Sequence, residues 1–155
     1  MCGRYVSVSS PTLLAERLHV DEVRADDADP NYNVTPRTEV PIVAETIVKD
    51  TQERKRVLDR VRWGLVPSWA KDLKMGDRLI NARAEGIETK PAYRRAFEKR
   101  RCLVPAARFY AWRVLPGRTR HNPHFNWRAR REHSARAGPP AGACRTCCDR
   151  TRAPA

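Results

Sequence analysis

The strongest constraint on the fold is an abrupt change of composition near the C-terminus. Residues 126–155 hold seven Arg, seven Ala, three Pro and three Cys, but no Leu, Ile, Val, Met, Phe or Tyr. Ordering one residue costs about 1–2 kcal/mol of conformational entropy, which a segment with so little apolar surface cannot offset. The sequence therefore predicts one folded domain over residues 1–125 and a disordered tail over residues 126–155.

The charge of the chain indicates a polyanionic partner. The formal net charge is +13; the tail supplies +5 of it, so residues 1–125 retain +8. Such a basic domain favours nucleic acid over a membrane surface as its polyanionic partner. No apolar run approaches the ~18–20 residues of a membrane span, and the N-terminus lacks a signal-peptide pattern. We expect a cytoplasmic, monomeric protein with reduced cysteines and no membrane partner.

The hydrophobic pattern predicts short strands with two peripheral helices. Ser10 and Pro11 are typical of a helix start, and Pro91 is expected to begin the second helix. Pro41 places its strand at a sheet edge or at a strand start. The strands are expected over 3–9, 40–48, 56–65, 101–105 and 109–115. The fold class is therefore α+β, dominated by its sheet.

Cys2 directly follows Met1, and a residue of this size lets methionine aminopeptidase remove the initiator. A terminal cysteine then carries two nucleophiles, since a free α-amine titrates near ~7.7–8.0 and a thiol near ~8.5. The amine can form an imine with an aldehyde, and the thiolate can close a thiazolidine ring. Alternatively, the amine can act as base for its own thiol, as in N-terminal-nucleophile hydrolases. The competing interpretation is that Cys2 is an arbitrary second residue.

Several collinear segments indicate which chemistry applies. They are Met1-Cys2-Gly3-Arg4-Tyr5, Tyr32-Asn33-Val34-Thr35-Pro36, Arg62-Trp63-Gly64-Leu65-Val66-Pro67-Ser68-Trp69-Ala70, Leu79-Ile80-Asn81-Ala82-Arg83-Ala84-Glu85 and Arg101-Cys102-Leu103-Val104-Pro105-Ala106, which continues into Phe109-Tyr110-Ala111-Trp112. In this order and spacing they resemble the SOS-response-associated peptidase (SRAP) family. The resemblance covers roughly residues 1–125. It implies a barrel-like sheet of mostly antiparallel short strands and the processing of abasic sites in single-stranded DNA.

The same resemblance assigns roles to individual residues. It implies that Cys2 forms a covalent thiazolidine with the opened sugar and that Asn81 holds the amine or the sugar. Arg4 and Arg83 correspond to residues that grip the flanking phosphates. Asn81 could instead be a turn or cap residue, and Arg83 could pair with Glu85 on the surface.

Three tryptophans could provide stacking surfaces for displaced bases, an interaction worth ~1–3 kcal/mol per base. They are Trp63, Trp69 and Trp112. Core packing is the competing interpretation for each, and we favour it for Trp63 because its strand face is apolar. Trp69 and Trp112 are therefore the candidate DNA-binding tryptophans.

Two departures from the family pattern bear on activity. Ala111 stands where the family has a glutamate that serves as acid and base, a kind of help typically worth roughly 10²–10⁴-fold in rate. The family's C-terminal strands and its catalytic histidine have no counterpart, and neither His121 nor His133 lies in a matching context. The sequence therefore predicts a C-terminally truncated or frameshifted fold of marginal stability.

No metal or other cofactor is expected. Cys144 and Cys147 have a spacing that can share zinc, but with only His133 upstream a second ligand pair is missing. The predicted function is covalent capture of abasic sites with thiol autopeptidase activity. The alternative is a catalytically impaired remnant or pseudogene product that binds DNA without a covalent bond.

Overall fold

Nine strands and two α-helices form the regular structure of the residues that the computed structural model describes, 3–114, 121–126 and 135–136. The strands are β1 (Tyr5–Ser7), β2 (Glu22–Val23), β3 (Asn31–Val34), β4 (Glu39–Ile47), β5 (Arg54–Arg62), β6 (Cys102–Pro105), β7 (Arg108–Val114), β8 (His121–Asn126) and β9 (Ala135–Arg136). The helices are α1 (Pro11–Leu18) and α2 (Arg94–Lys99), with a 3₁₀ helix at Leu73–Asp77.

These strands form two sheets, which confirms the predicted α+β class. One sheet has the order β3-β1-β7-β8, and the other has the order β2-β5-β4-β6-β9. Every pairing is antiparallel except β2 with β5. Both sheets are open over the described residues. The first strand of the chain is thus an interior strand, hydrogen-bonded on both sides.

The five predicted strands are present with shifted ends, and two predictions that rest on prolines differ from the structure. Pro41 lies inside β4, an interior strand, although β6 pairs with β4 only at Val43 and Ala44. Pro41 is therefore paired with β5 alone. A residue without an N–H is tolerated there because the other side of β4 has no partner strand at this position among the described residues. Helix α2 begins at Arg94 rather than at Pro91, because residues 91–93 form a turn with backbone bonds to the carbonyl of Lys90.

A hydrophobic core lies between the two sheets, and a second cluster lies under α1. The first contains Tyr5, Val34, Val40, Ile42, Val61 and Trp63. Trp63 is 8% exposed, which confirms its predicted role in the core. The second contains Leu14, Ala25, Val43 and Leu58. Both faces of the five-stranded sheet are therefore covered where α1 packs.

Helix α1 starts where the sequence predicts. Ser10 is the N-cap, and its hydroxyl accepts a hydrogen bond from the Leu13 N–H at 3.3 Å. Pro11 occupies the first helical position, where its missing N–H costs no intrahelical bond. Leu14 is buried beneath the helix. The cap thus fixes the turn between β1 and α1, the helix that places Leu14 in the second cluster.

Ser10→Ala is expected to lower the free energy of unfolding by about 1 kcal/mol, because one N–H of the first turn loses its acceptor. Ser9→Ala, one residue earlier, is the matched control and should stay within about 0.5 kcal/mol of the parent. Urea denaturation followed by circular dichroism measures both. Equal losses for the two variants would contradict the capping role.

Much of the predicted tail lies outside the described residues. Within it, Ala135–Arg136 form β9, in register with Pro105 and Val104 of β6. The cysteine pair Cys144 and Cys147, like His133, lies outside, so the boundary at residue 125 and the disorder beyond it stay predictions. No helix among the described residues has the length and apolar character needed to cross a membrane.

Candidate active site

The structure describes the chain from Gly3 onward, so Cys2 and Met1 lie outside the described residues. Tyr5 pairs with Phe109, and the Tyr110 N–H donates to the Arg4 carbonyl at 3.0 Å. Gly3 directly precedes this bonded residue. A Cβ atom added to Gly3 would meet no atom within 4 Å. The chain therefore reaches β1 through open space at Gly3, next to β7; this open space is termed the β1 entrance.

The β7–β8 ladder borders this entrance. Ala111 is paired with His124, and Trp112 is paired with Pro123. Ala111 is half-buried, whereas His124 is exposed and Trp112 is 39% exposed. The methyl group of Ala111 cannot transfer a proton. The imidazole directly across from it on β8 can.

Arg4 presents a positive charge directly before β1. Its Nη1 donates to Asn33 Oδ1 on β3 at 2.9 Å, and its side chain is exposed. Nearby, the Tyr110 hydroxyl donates to the Tyr32 carbonyl at 3.0 Å. A guanidinium has five N–H donors and stays protonated, so Arg4 is suited to bind a phosphate at this edge.

Hydrogen bonds to the backbone carbonyls of Ile80 and Asn81 hold the Asn81 segment in place. The Trp63 indole N–H donates to the Ile80 carbonyl at 3.1 Å, and the Trp63 ring lies 5.5 Å from that of Tyr5, between centroids. The Tyr93 hydroxyl donates to the Asn81 carbonyl at 3.1 Å. Partial burial raises the pKa of Tyr93, which keeps this donor protonated. These contacts connect the backbone of Asn81 to β1.

A close backbone contact and an ion-pair cluster hold the segment between β5 and Asn81. The Leu65 N–H donates to the Leu79 carbonyl at 3.1 Å, and an added Cβ on Gly64 would lie 2.6 Å from the Gly76 carbonyl oxygen. The Asp77 carboxylate bridges Arg62 Nη2 at 2.9 Å and Arg37 Nε at 3.2 Å. The start of the Asn81 segment is thereby tied to the end of β5.

Trp69 and Arg83 lie on the surface of that segment. Trp69 is 58% exposed, and Arg83 is exposed with no ion pair to Glu85, although both residues are described. Neither residue is joined to the β1 entrance by a hydrogen bond or ion pair of the described part of the chain. The surface pairing considered for Arg83 is thus absent.

Of the predicted site residues, the structure brings Arg4 and Trp112 to the entrance of β1 and links Asn81 to it through Trp63. The sequence argument did not place His124 opposite Ala111. The available signal was the Pro123-His124-Phe125 segment, whose register with β7 only the fold reveals.

Comparison with known proteins agrees with this architecture. Two solved structures from Bordetella bronchiseptica resemble the fold: one protein has a TM-score of 0.61 at 20% identity over 83% of this chain and 58% of its own. The other, a phage-related protein, has a TM-score of 0.57 at 27% identity, over 80% of this chain and 54% of its own.

Sequence relatives bear related names. The abasic site processing protein YoqW of Bacillus subtilis is 37% identical over 121 residues, which are 77% of this chain and 51% of YoqW. The abasic site processing protein HMCES of Pongo abelii is 34% identical over 102 residues, 62% of this chain and 29% of HMCES. The chain spans about half the length of the bacterial relatives it matches.

The family model described as SOS response associated peptidase (SRAP) matches residues 1–140. That match includes β1, the Asn81 segment and the β7–β8 ladder described above. Because it covers most of the chain, the protein belongs to the SRAP family.

Proposed function

We propose that this protein binds single-stranded DNA at an abasic site and captures the ring-opened sugar through Cys2. The observation that supports this most is the open space at Gly3, the residue after Cys2: a Cβ atom added to Gly3 would meet no atom within 4 Å. The names of YoqW and HMCES support the same substrate.

The chemistry needs Met1 to be removed. The freed amine of Cys2 adds to the C1′ aldehyde of the opened sugar, and loss of water gives an imine. The Sγ atom then bonds to the same carbon, and its proton passes to the nitrogen, which closes a thiazolidine. Removal of Met1 by the protein itself, with Cys2 as the nucleophile, is the thiol-peptidase part of the proposal.

The surrounding residues would bind the DNA. We assign Arg4 and Arg83 to phosphates and the exposed rings of Trp69 and Trp112 to bases, while the Asn81 amide holds the amine or the opened sugar. Base stacking on an aromatic ring is worth ~1–3 kcal/mol, and phosphate contacts make affinity sensitive to salt. The substrate is therefore a flexible, unpaired strand.

A crosslinking assay tests the proposal. The purified protein is incubated with a single-stranded oligonucleotide that carries one abasic site, and the product is analysed by denaturing electrophoresis and intact mass. We expect an adduct with the mass of both partners less one water. An oligonucleotide with a tetrahydrofuran in place of the sugar has no aldehyde, so it should bind but give no adduct. An adduct with both oligonucleotides would contradict thiazolidine chemistry.

Non-covalent DNA binding is the second candidate, and Ala111 favours it. A methyl group at that position removes a proton-transfer group implied by the family resemblance. Salt-sensitive binding to the abasic oligonucleotide without any adduct would support this candidate and reject the first.

A further inference from the structure

Arg37 is an exposed cation in the turn between β3 and β4, close to the segment that carries Asn81. We propose that Arg37, oriented by Asp77, binds a backbone phosphate of the single strand that passes this segment. The proposal rests on the proposed function, because it takes DNA as the ligand. Its basis is an arginine with a left-handed backbone, an exposed guanidinium and a carboxylate shared with Arg62.

The backbone of Arg37 has a conformation that its residue type disfavours. Its φ is +77°, it follows Pro36, and the Thr38 N–H donates to the Thr35 carbonyl at 3.4 Å. These are features of a type II turn, whose third position favours glycine because L side chains rarely adopt a positive φ. Strained residues of this kind concentrate at binding and catalytic sites. The turn therefore carries a guanidinium where glycine would be less strained.

Two backbone hydrogen bonds hold this turn against the end of β5. The Arg37 N–H donates to the Trp63 carbonyl at 3.0 Å, and the Trp63 N–H donates to the Thr38 carbonyl at 2.9 Å. The indole N–H of the same tryptophan donates to the Ile80 carbonyl at 3.1 Å. A single residue, Trp63, thus connects the Arg37 turn to the residue that precedes Asn81.

The Asp77 carboxylate orients the Arg37 guanidinium and leaves most of its donors available. One carboxylate oxygen lies 3.2 Å from Arg37 Nε, and the other lies 2.9 Å from Arg62 Nη2. The Arg37 side chain is 66% exposed. Within the described part of the chain, Asp77 is the one partner found for this side chain. A guanidinium has five N–H donors and can bind two phosphate oxygens at once.

The charges around this turn favour an anion. Arg37 and Arg62 share Asp77, which Arg78 follows in the sequence, and Glu39 is paired with Arg62 in the β4–β5 register. Three arginines against two carboxylates leave a formal charge of +1 on these five residues. The carboxylates therefore position the guanidinium groups without cancelling their charge.

Binding to the tetrahydrofuran oligonucleotide, measured by fluorescence anisotropy over a range of salt, tests the site without any covalent step. Arg37→Gly removes the guanidinium and relieves the backbone strain, so its thermal transition should stay at or above that of the parent. We expect the slope of log affinity against log salt to become shallower by about 0.7, the contribution of one phosphate contact. At about 0.1 M salt, Kd should rise about fivefold.

Two further variants separate local charge from other causes. Arg37→Lys keeps a cation but lacks the planar fork, so the parent slope should remain while Kd rises less than in Arg37→Gly. Arg54→Gln is the matched control, since Arg54 is 78% exposed, pairs with Glu45 and begins β5, the strand that Arg62 ends. It lies roughly 27 Å from that end, beyond the Debye length of about 10 Å, so Kd and slope should match the parent.

A parent-like slope for Arg37→Gly would overturn the phosphate contact while leaving DNA binding by the parent intact. Arg37→Asn, another residue tolerated at positive φ, repeats the measurement if Arg37→Gly does not fold. The expected change of slope in a protein that gives no adduct would support this site and reject capture by Cys2. Absence of any binding by the parent would overturn the proposed function, and this site with it.

Discussion

Cys2→Ser is expected to abolish the denaturation-resistant adduct with abasic single-stranded DNA. The variant keeps a terminal amine and can still form an imine, but its hydroxyl is a much weaker nucleophile than a thiolate. The imine hydrolyses on denaturation unless it is reduced. Borohydride should therefore trap an adduct with Cys2→Ser, whereas the parent needs no reductant. Denaturing electrophoresis with and without borohydride measures the difference.

Cys102→Ala provides the control for other thiols. Cys102 is a half-buried cysteine on β6 that packs against the core between the sheets. Its replacement should leave the adduct yield unchanged. Equal yields from Cys2→Ser and the parent without reductant would disprove the thiazolidine, and an intact mass that retains Met1 would remove the amine on which it depends.

Gly64→Ala is expected to lower the free energy of unfolding by about 3 kcal/mol, since it combines strained backbone with overpacking. Gly64 has φ of +144°, a conformation that L side chains rarely adopt. Its added Cβ would lie 2.6 Å from the Gly76 carbonyl oxygen, which is backbone and cannot rotate away. Thermal unfolding followed by circular dichroism measures the loss.

Gly86→Ala separates the two causes. Gly86 also has a positive φ, +71°, but an added Cβ would meet only the Thr89 hydroxyl, at 3.5 Å. It should cost about 1 kcal/mol, the penalty of a left-handed conformation alone. If the two variants were equally stable, the contact between Gly64 and Gly76 would have no energetic importance.

Local features of the fold were predictable from the sequence. Ser10 and Pro11 mark the start of α1 because a cap and a missing N–H act within one turn. The central part of β5 follows from its β-branched alternation. Trp63 was assigned to the core from its strand face alone, and it is buried there.

Long-range pairings were not predictable in the same way. Strand β3 contains two asparagines and strand β8 a proline, so neither has strong strand propensity. Each forms because a neighbour, β1 or β7, offers it an edge. The position of His124 opposite Ala111 depends on that pairing, so the residue types alone did not predict it. The collinear motifs predicted the candidate site, whereas the register between paired strands determines which residues lie next to it.

The interior position of β1 has a mechanical consequence. Force applied along the axis of β1 would act on a strand that is bonded to β3 on one side and β7 on the other. Tension applied in that direction shears both ladders together, whereas tension on a border strand peels its bonds one at a time. Strand β1 therefore resists force applied along its axis better than its length of three residues suggests.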